Sequence, residues 1–409
     1  MKKKLLFVGD AACPSGFARA THEILDATRY TYDITVLGIN YRGDPHSYPY
    51  PIYAAWVGGD ALGVSRLIWM CDAVKPDIIV LQNDPWHIPA YLAQLRRVPE
   101  YAGIPVVAAV AVDGKNCLGV GLNGLAHAIF WTQFGLDEAR EGGYTGNASV
   151  IPLGVDLDMY KPSSRLEARN RRLPTLGDAF IIGNVNRNQP RKRWDLTIRY
   201  FAEWVKSKKI DDAYLYLHVA PTGDAGMDVK RLMQYYGVLD RLALLAPQVW
   251  YGIPEQEMAD TYNCFDLMIS TTQGEGMGLT TMEAMACGVP CIVPDWAALG
   301  EWAKGAAWMV PCTSTCVGAP IGNMSVIGGV PDEEKFIQAL DAMYHNPHYR
   351  ETNSRAGLER MQQARFRWSN IGKAWVQALS KVLEPAHGES PAISEKVWED
   401  LGRPVEVVV

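Results

Sequence analysis

Residues Gln273 to Pro290 read Gln-Gly-Glu-Gly-Met-Gly-Leu-Thr-Thr-Met-Glu-Ala-Met-Ala-Cys-Gly-Val-Pro. Glycines at 274, 276 and 278 let backbone amides approach a ligand closely, and a helix is expected from about Leu279. A helix N-terminus attracts negative charge, so Gly276, Met277, Gly278, Leu279 and Thr280 frame a seat suited to phosphate. Glu275 precedes that helix and Glu283 falls in its second turn. A carboxylate is a poor neighbour for phosphate but a good acceptor for paired hydroxyls, so the two suit a sugar and a ribose.

A second segment, Gly183-Asn-Val-Asn-Arg-Asn-Gln-Pro-Arg-Lys-Arg-Trp-Asp195, follows an expected strand. Arg187 and Lys192 stand five residues apart, and two cations facing a glycine-rich helix start would neutralise a diphosphate as it leaves. Arg191 and Arg193 read as a solvated face. A third segment, Asp10-Ala-Ala-Cys-Pro-Ser-Gly16-Phe-Ala-Arg19, is a strand-to-helix loop with Ser-Gly at the helix start. Gly119-Val-Gly-Leu-Asn-Gly124 fits a dinucleotide fingerprint but does not directly follow a strand, as that motif requires; it reads as a loop.

The pattern Glu275, seven residues, Glu283, then Ala-Met-Ala-x-Gly-x-Pro resembles the signature of glycosyltransferase family 4. The resemblance covers most of residues 170–385, is densest over 183–195 and 255–300, and is weaker before 155. It implies a retaining enzyme of the so-called GT-B fold, with no cofactor and no metal requirement. The family's strand-end Arg and pre-helix Lys map onto Arg187 and Lys192, although Asn186 and Arg193 stand where the family commonly has glycine. Gly16 takes the place of the family's first-domain glycine loop, which approaches the donor phosphates or the acceptor. Many members carry a cleft His after a middle strand; here Asp113 occupies that place, and His87, after the preceding strand, is the second candidate.

These segments need rigid elements to hold them. Short β-branched runs alternate with longer amphipathic stretches, the pattern of parallel α/β domains. Strands are expected at Lys4–Gly9, Asp33–Ile39, Asp77–Leu81, Ile104–Val112, Ala128–Trp131 and Ser149–Pro152, with helices at Gly16–Thr28, Ala61–Val74, Ile88–Arg97 and Gly135–Glu141. The polar stretch 156–177 reads as a linker. The scheme then repeats from Ala179, giving two Rossmann-like domains, 1–158 and 159–366, that face each other across a cleft. Residues 367–385 are expected to form a helix crossing back to the first domain, followed by a polar tail over 386–409.

At 409 residues, with 48% hydrophobic and 21% charged side chains, the chain suits two globular cores rather than disorder. Its eight cysteines show no CxxC pair and no zinc spacing, so reduced thiols and a cytoplasmic location are expected. No apolar run reaches the ~18 residues of a membrane span. The net charge of −6 hides a basic block: residues 161–210 hold 13 Lys and Arg against 4 Asp and Glu.

The reading is a nucleotide-diphosphate sugar as donor and a hydroxyl acceptor in the first domain. A small molecule, a glycan or a lipid fits as acceptor, and the basic block keeps a hydroxymethylated DNA base open. A nucleotide-sugar epimerase of the same fold, a nicotinamide oxidoreductase and a non-catalytic sugar-nucleotide binder are the rival readings.

Overall fold

The structure, a computed structural model, describes residues 2–13, 15–220, 226–245, 252–317 and 325–384; the expected tail over 386–409 lies outside them. The first half runs β1 (Lys3–Asp10), α1 (Gly16–Thr28), β2 (Tyr32–Ile39), β3 (Ile52–Ala54), α2 (Leu67–Val74), β4 (Ile78–Asn83), α3 (Ile88–Arg96), β5 (Val106–Val110), β6 (His127–Phe130), α4 (Gln133–Glu141) and β7 (Ala148–Val150). The second runs α5 (Arg165–Arg172), β8 (Phe180–Val185), α6 (Trp194–Lys208), β9 (Ala213–His218), α7 (Val229–Tyr235), β10 (Leu242–Leu245), α8 (Glu255–Asn263), β11 (Leu267–Ile269), α9 (Leu279–Ala286), β12 (Cys291–Asp295) and α10 (Ala297–Trp302). It closes with β13 (Trp308–Val317), β14 (Ile327–Pro331), α11 (Glu333–His345), α12 (Pro347–Met361) and α13 (Trp368–Leu383).

Each half builds one seven-stranded sheet, in the orders β3-β2-β1-β4-β5-β6-β7 and β10-β9-β8-β11-β12-β13-β14. All pairings are parallel except β13 with β14. Parallel strands are covered on both faces, which is why β4, β5 and β8 are buried along their whole length. Strand order reverses between β1 and β4 in one sheet and between β8 and β11 in the other. Ligands of doubly wound sheets bind at such switch points, outside the carboxyl ends of the strands. The loops leaving those four strands carry Gly16, His87, Arg187 with Lys192, and the 273–278 turn; Asp113 follows the neighbouring β5.

The α13 helix crosses back to the first sheet. Ile371, Trp375 and Leu379 bury themselves in the core that holds Leu5, Ile24 and Leu25. A Cβ on Gly372 would lie 2.4 Å from that of Ala27, so glycine is what lets α13 press against α1.

Two expectations need correction, and the reading of 119–124 as a loop holds. The stretch read as a linker contains α5, pinned by ion pairs of Arg165 and Arg169 to Asp266, Arg171 to Asp260 and Arg172 to Glu257. With Arg193–Asp195, Arg199–Glu333 and Lys208–Asp341, these pairs absorb much of the basic block. The short edge strand β3, the antiparallel β14 and the six-residue α10 are additional elements. Gly119 sits in a single 3-10 turn over Gly119–Leu122, where a Cβ would meet the Ala139 carbonyl oxygen at 1.9 Å. Close packing on α4, not a nucleotide, explains that glycine.

Candidate active site

Two helix N-termini meet across the cleft. Ser15 caps α1: its hydroxyl accepts from the Ala18 amide at 3.0 Å and donates to Asp10 at 2.7 Å. Opposite, Gly278 (φ 90°) turns the chain into α9 with a left-handed backbone that favours glycine. The Thr281 and Met282 amides both bond the Gly278 carbonyl, and the amides before them have no acceptor inside the helix. The Met277 carbonyl accepts from the Trp302 indole at 2.7 Å, which fixes the turn. A Cβ on Gly16 would stand 3.6 Å from Leu279 Cδ1, so the two helix starts lie against each other.

Behind this junction lies a buried charge cluster. Lys192 Nζ donates to both oxygens of Glu275, at 2.5 and 2.7 Å. Arg191 reaches Glu275 at 3.2 Å, Asp113 at 3.2 Å and the Gly274 carbonyl at 2.9 Å. The reading of Arg191 as a solvated side chain is thus overturned: it bridges the acidic groups of both domains. Arg193 does pair locally, with Asp195 at 2.8 Å. Burial pushes the Glu275 carboxyl up, but Lys192 and Arg191 outweigh it and hold it below its usual range. Burial and the adjacent Arg191 bring Lys192 down to about 8, against the pull of Glu275. The two shifts oppose each other within one pair; the contact geometry favours the ionised pair at neutral pH.

Asp84, just past β4, joins the cluster from the first domain. Burial, then the neighbouring Asp113, raise its carboxyl to about 7. Asp84 carried no motif; its one signal was its place in the loop at the switch point. His87 leads into α3 with its ring tilted against Trp86 at 5.9 Å, and burial lowers its pKa. Asp113, the other candidate for the acceptor side, pairs with Arg191 at 3.2 Å.

Glu283 meets a residue the sequence did not mark. One of its oxygens accepts from Arg19 of α1 and the other from the Tyr262 hydroxyl at 2.7 Å. Arg19 also pairs with Glu255 at 2.9 Å and donates to Tyr160 at 2.8 Å. A carboxylate has about four acceptor positions, so Glu283 retains capacity for ribose hydroxyls. Burial raises its pKa despite Arg19. Arg187 leaves β8 exposed; its carbonyl accepts from the Trp194 indole at 3.1 Å, and its charge reaches Cys13 in the first-domain loop.

Two facing Rossmann-like domains with paired helix starts and a buried charge cluster define a GT-B protein. Residues 178–346, within the second domain, match the family described as glycosyl transferases group 1. A D-inositol 3-phosphate glycosyltransferase of Geodermatophilus obscurus is 33% identical over 166 residues, covering 38% of this chain and 36% of its own. One from Streptosporangium roseum is 27% identical over 262 residues, covering 62% and 54%. The chain therefore spans about half the length, or less, of these curated relatives. The sucrose-phosphate synthase of Thermosynechococcus elongatus superposes with a TM-score of 0.74 at 17% identity, covering 93% of this chain and 99% of its own. Anabaena HepE in complex with UDP and glucose gives 0.71 at 16%, covering 93% and 100%. At such identities the likeness shows the fold, which is the GT-B fold.

Proposed function

We propose that this chain is a retaining glycosyltransferase that moves a sugar from a nucleotide diphosphate to a hydroxyl acceptor. One observation carries the reading: the starts of α1 and α9 lie against each other at Gly16 and Leu279, where the first amides of α9 have no acceptor within the helix. A diphosphate seated there meets two helix N-termini, with Arg187 leaving the strand end alongside. Lys192 and Arg191 orient Glu275 toward the sugar, and Glu283 receives the ribose. As the anomeric carbon–oxygen bond breaks, charge grows on the phosphate that these groups stabilise. The acceptor oxygen bonds to the same face of that carbon and its proton passes to the departing phosphate oxygen, so no carboxylate nucleophile is required, in contrast to retaining glycoside hydrolases.

HepE, solved in complex with UDP and glucose, supports a nucleotide-sugar donor, and the printed name of the curated relatives supports glycosyl transfer. A DNA acceptor loses its main support, because the basic block is largely tied up in ion pairs within the chain. The cations of the chain itself supply the positive charge at the diphosphate, so transfer is expected without metal. Among the described residues no helix is long and apolar enough to cross a membrane. A cytoplasmic location, where nucleotide sugars are plentiful, fits the eight unpaired thiols.

The deciding experiment is a screen of uridine, guanosine, adenosine and thymidine diphosphate sugars, following nucleotide release and the anomeric configuration of the product with and without EDTA. Retained configuration from one donor, undiminished by chelation, is the expected result. Inversion, or loss of activity in EDTA restored by metal, would overturn the corresponding part.

A further inference from the structure

Arg19 stands on α1, three residues past Gly16, yet the partners of its side chain come from beyond the first sheet. One guanidinium nitrogen donates to Glu283 of α9 and, at 2.8 Å, to the hydroxyl of Tyr160, in the segment between β7 and α5. The other pairs with Glu255, at the start of α8, at 2.9 Å. The Tyr262 hydroxyl of α8 donates to the second Glu283 oxygen at 2.7 Å. The Glu283 carboxylate is therefore gripped twice, once from each domain.

The two ion pairs of Arg19 differ in their surroundings. The Glu255 side chain is 53% exposed, and pairs of that kind contribute little to stability. The Glu283 side chain is 8% exposed. A buried pair is weak evidence for a stabilising role, because desolvation offsets the attraction. What it does supply is a fixed charge in a fixed place. Glu23, Asp156, Glu255 and Glu283 line one small cavity with Arg19, the single cation on its walls among the described residues. Burial raises the Glu283 carboxyl, and Arg19 is the strongest influence against that rise, ahead of the Tyr262 hydroxyl. Glu23, one turn further along α1, feels Arg19 less than it feels Asp156, Asp26 and Glu255; burial first, then those three, push it up to about 7.

The charge state decides what Glu283 can offer. An ionised carboxylate accepts at both oxygens, whereas a protonated one turns one of them into a donor. Two hydroxyls on neighbouring carbons, as in a ribose, are best received by the first form, held still. Arg19 and Tyr262 provide both conditions, and each leaves its oxygen a further lone pair.

We infer that Arg19 is a positioning residue for the donor ribose: by pairing with Glu283 across the cleft it makes ribose recognition depend on the docking of α1 against α9. The inference rests on the transferase reading above, in which Glu283 receives the ribose. It adds a first-domain residue to a seat that otherwise belongs to the second domain. Nucleotide binding then favours the docked arrangement, because the ribose hydroxyls are received better there than in an arrangement that separates Arg19 from Glu283.

Calorimetric titration of the full chain tests this, with uridine, guanosine and adenosine diphosphate each set against its 2′-deoxy counterpart. For the base that binds best, the wild-type chain should hold the ribonucleotide about tenfold or more tightly than the deoxynucleotide, as expected for a hydrogen bond to a charged group. Arg19→Ala, and the longer uncharged Arg19→Met, should shrink that ratio to about twofold or less. Arg19→Lys, which keeps a cation beside Glu283, should restore most of it. Glu255→Gln breaks the exposed pair alone and should leave the ratio as in wild type. A mere strut between domains would weaken both nucleotides equally, so an unchanged ratio in Arg19→Ala and Arg19→Met overturns the inference. So does a ratio that falls as far in Glu255→Gln, or that Arg19→Lys fails to raise. A wild-type ratio near one would strike the ribose role of Glu283 and the inference with it, while absence of binding by every nucleotide diphosphate would strike the donor reading itself.

Discussion

Lys192 and Glu275 lie 83 residues apart in sequence and form a buried ion pair at the centre of the cleft. Each had been singled out separately, as a phosphate cation and a sugar acceptor, and the pair joins the two roles. Substituting Lys192 or Arg187 by Ala should cut kcat/KM about ten- to a hundredfold, because a charge-assisted contact is worth about 1.5–3 kcal/mol. The Lys192 variant should also lose stability, because breaking a buried pair costs about 3–5 kcal/mol, lessened here by Arg191. Steady-state kinetics beside thermal melts check this, and wild-type turnover by both variants would remove the phosphate assignment.

Asp84 supplies a pH test. Its carboxyl rises from 3.8 to about 7 in the fold, through burial first and Asp113 second. The folded state then holds the proton more tightly than the unfolded chain, so the stabilisation is full below about pH 4 and is lost as pH rises through about 7. Asp84→Asn removes the cost of charging that site. It should raise the melting temperature by a few degrees at pH 8 and leave it unchanged at pH 4. An equal effect at both pH values would show that the carboxyl is not being held neutral.

At the scale of elements, the helix starts carry the argument. Short-range signals located α1 and the start of α9 to the residue: amphipathic periodicity, a Ser cap and glycine turns act within a few residues and need no tertiary context. The three-residue β3 and six-residue α10 escaped because each spans less than two periods of its element, too few to show a repeat. The antiparallel β14 exists by pairing with β13, a property of its neighbour rather than of its own sequence. Gly278 tests whether the α9 start is built as described. An alanine there would force a side chain into φ 90° and bring its Cβ to 2.9 Å from Leu299 Cδ2. Gly278→Ala should destabilise by about 1–2 kcal/mol and weaken nucleotide-diphosphate binding. Unchanged calorimetric affinity in a folded variant would detach that turn from the donor.

For the whole molecule, function depends on how closely the two sheets approach. A Cβ on Gly274 would fall 1.6 Å from the Asp113 carbonyl oxygen, so the second domain touches the first backbone to backbone at this point. Gly274→Ala should hold the cleft ajar. Displacements of about 1 Å can cost a hundredfold in rate, and a loss of that order is expected with native circular dichroism and a larger radius of gyration by X-ray scattering. Retained turnover would mean that catalysis does not require this approach.

The sequence by itself determined the α/β class, the repeat of one scheme in two halves, and the loops that carry the chemistry. Glycine at a left-handed turn, a capping serine and the alternation of strand and helix are local requirements, legible wherever they stand. It could not determine which charged side chains meet. The Glu283–Arg19 contact spans 264 residues, Arg191 binds carboxylates of both domains, and Asp84 reaches Asp113 through the folding of one sheet. Those meetings are set by sheet order and by the docking of one domain on the other. A buried charge is stable only where a partner arrives from elsewhere in the chain, and that arrival is a property of the tertiary structure alone.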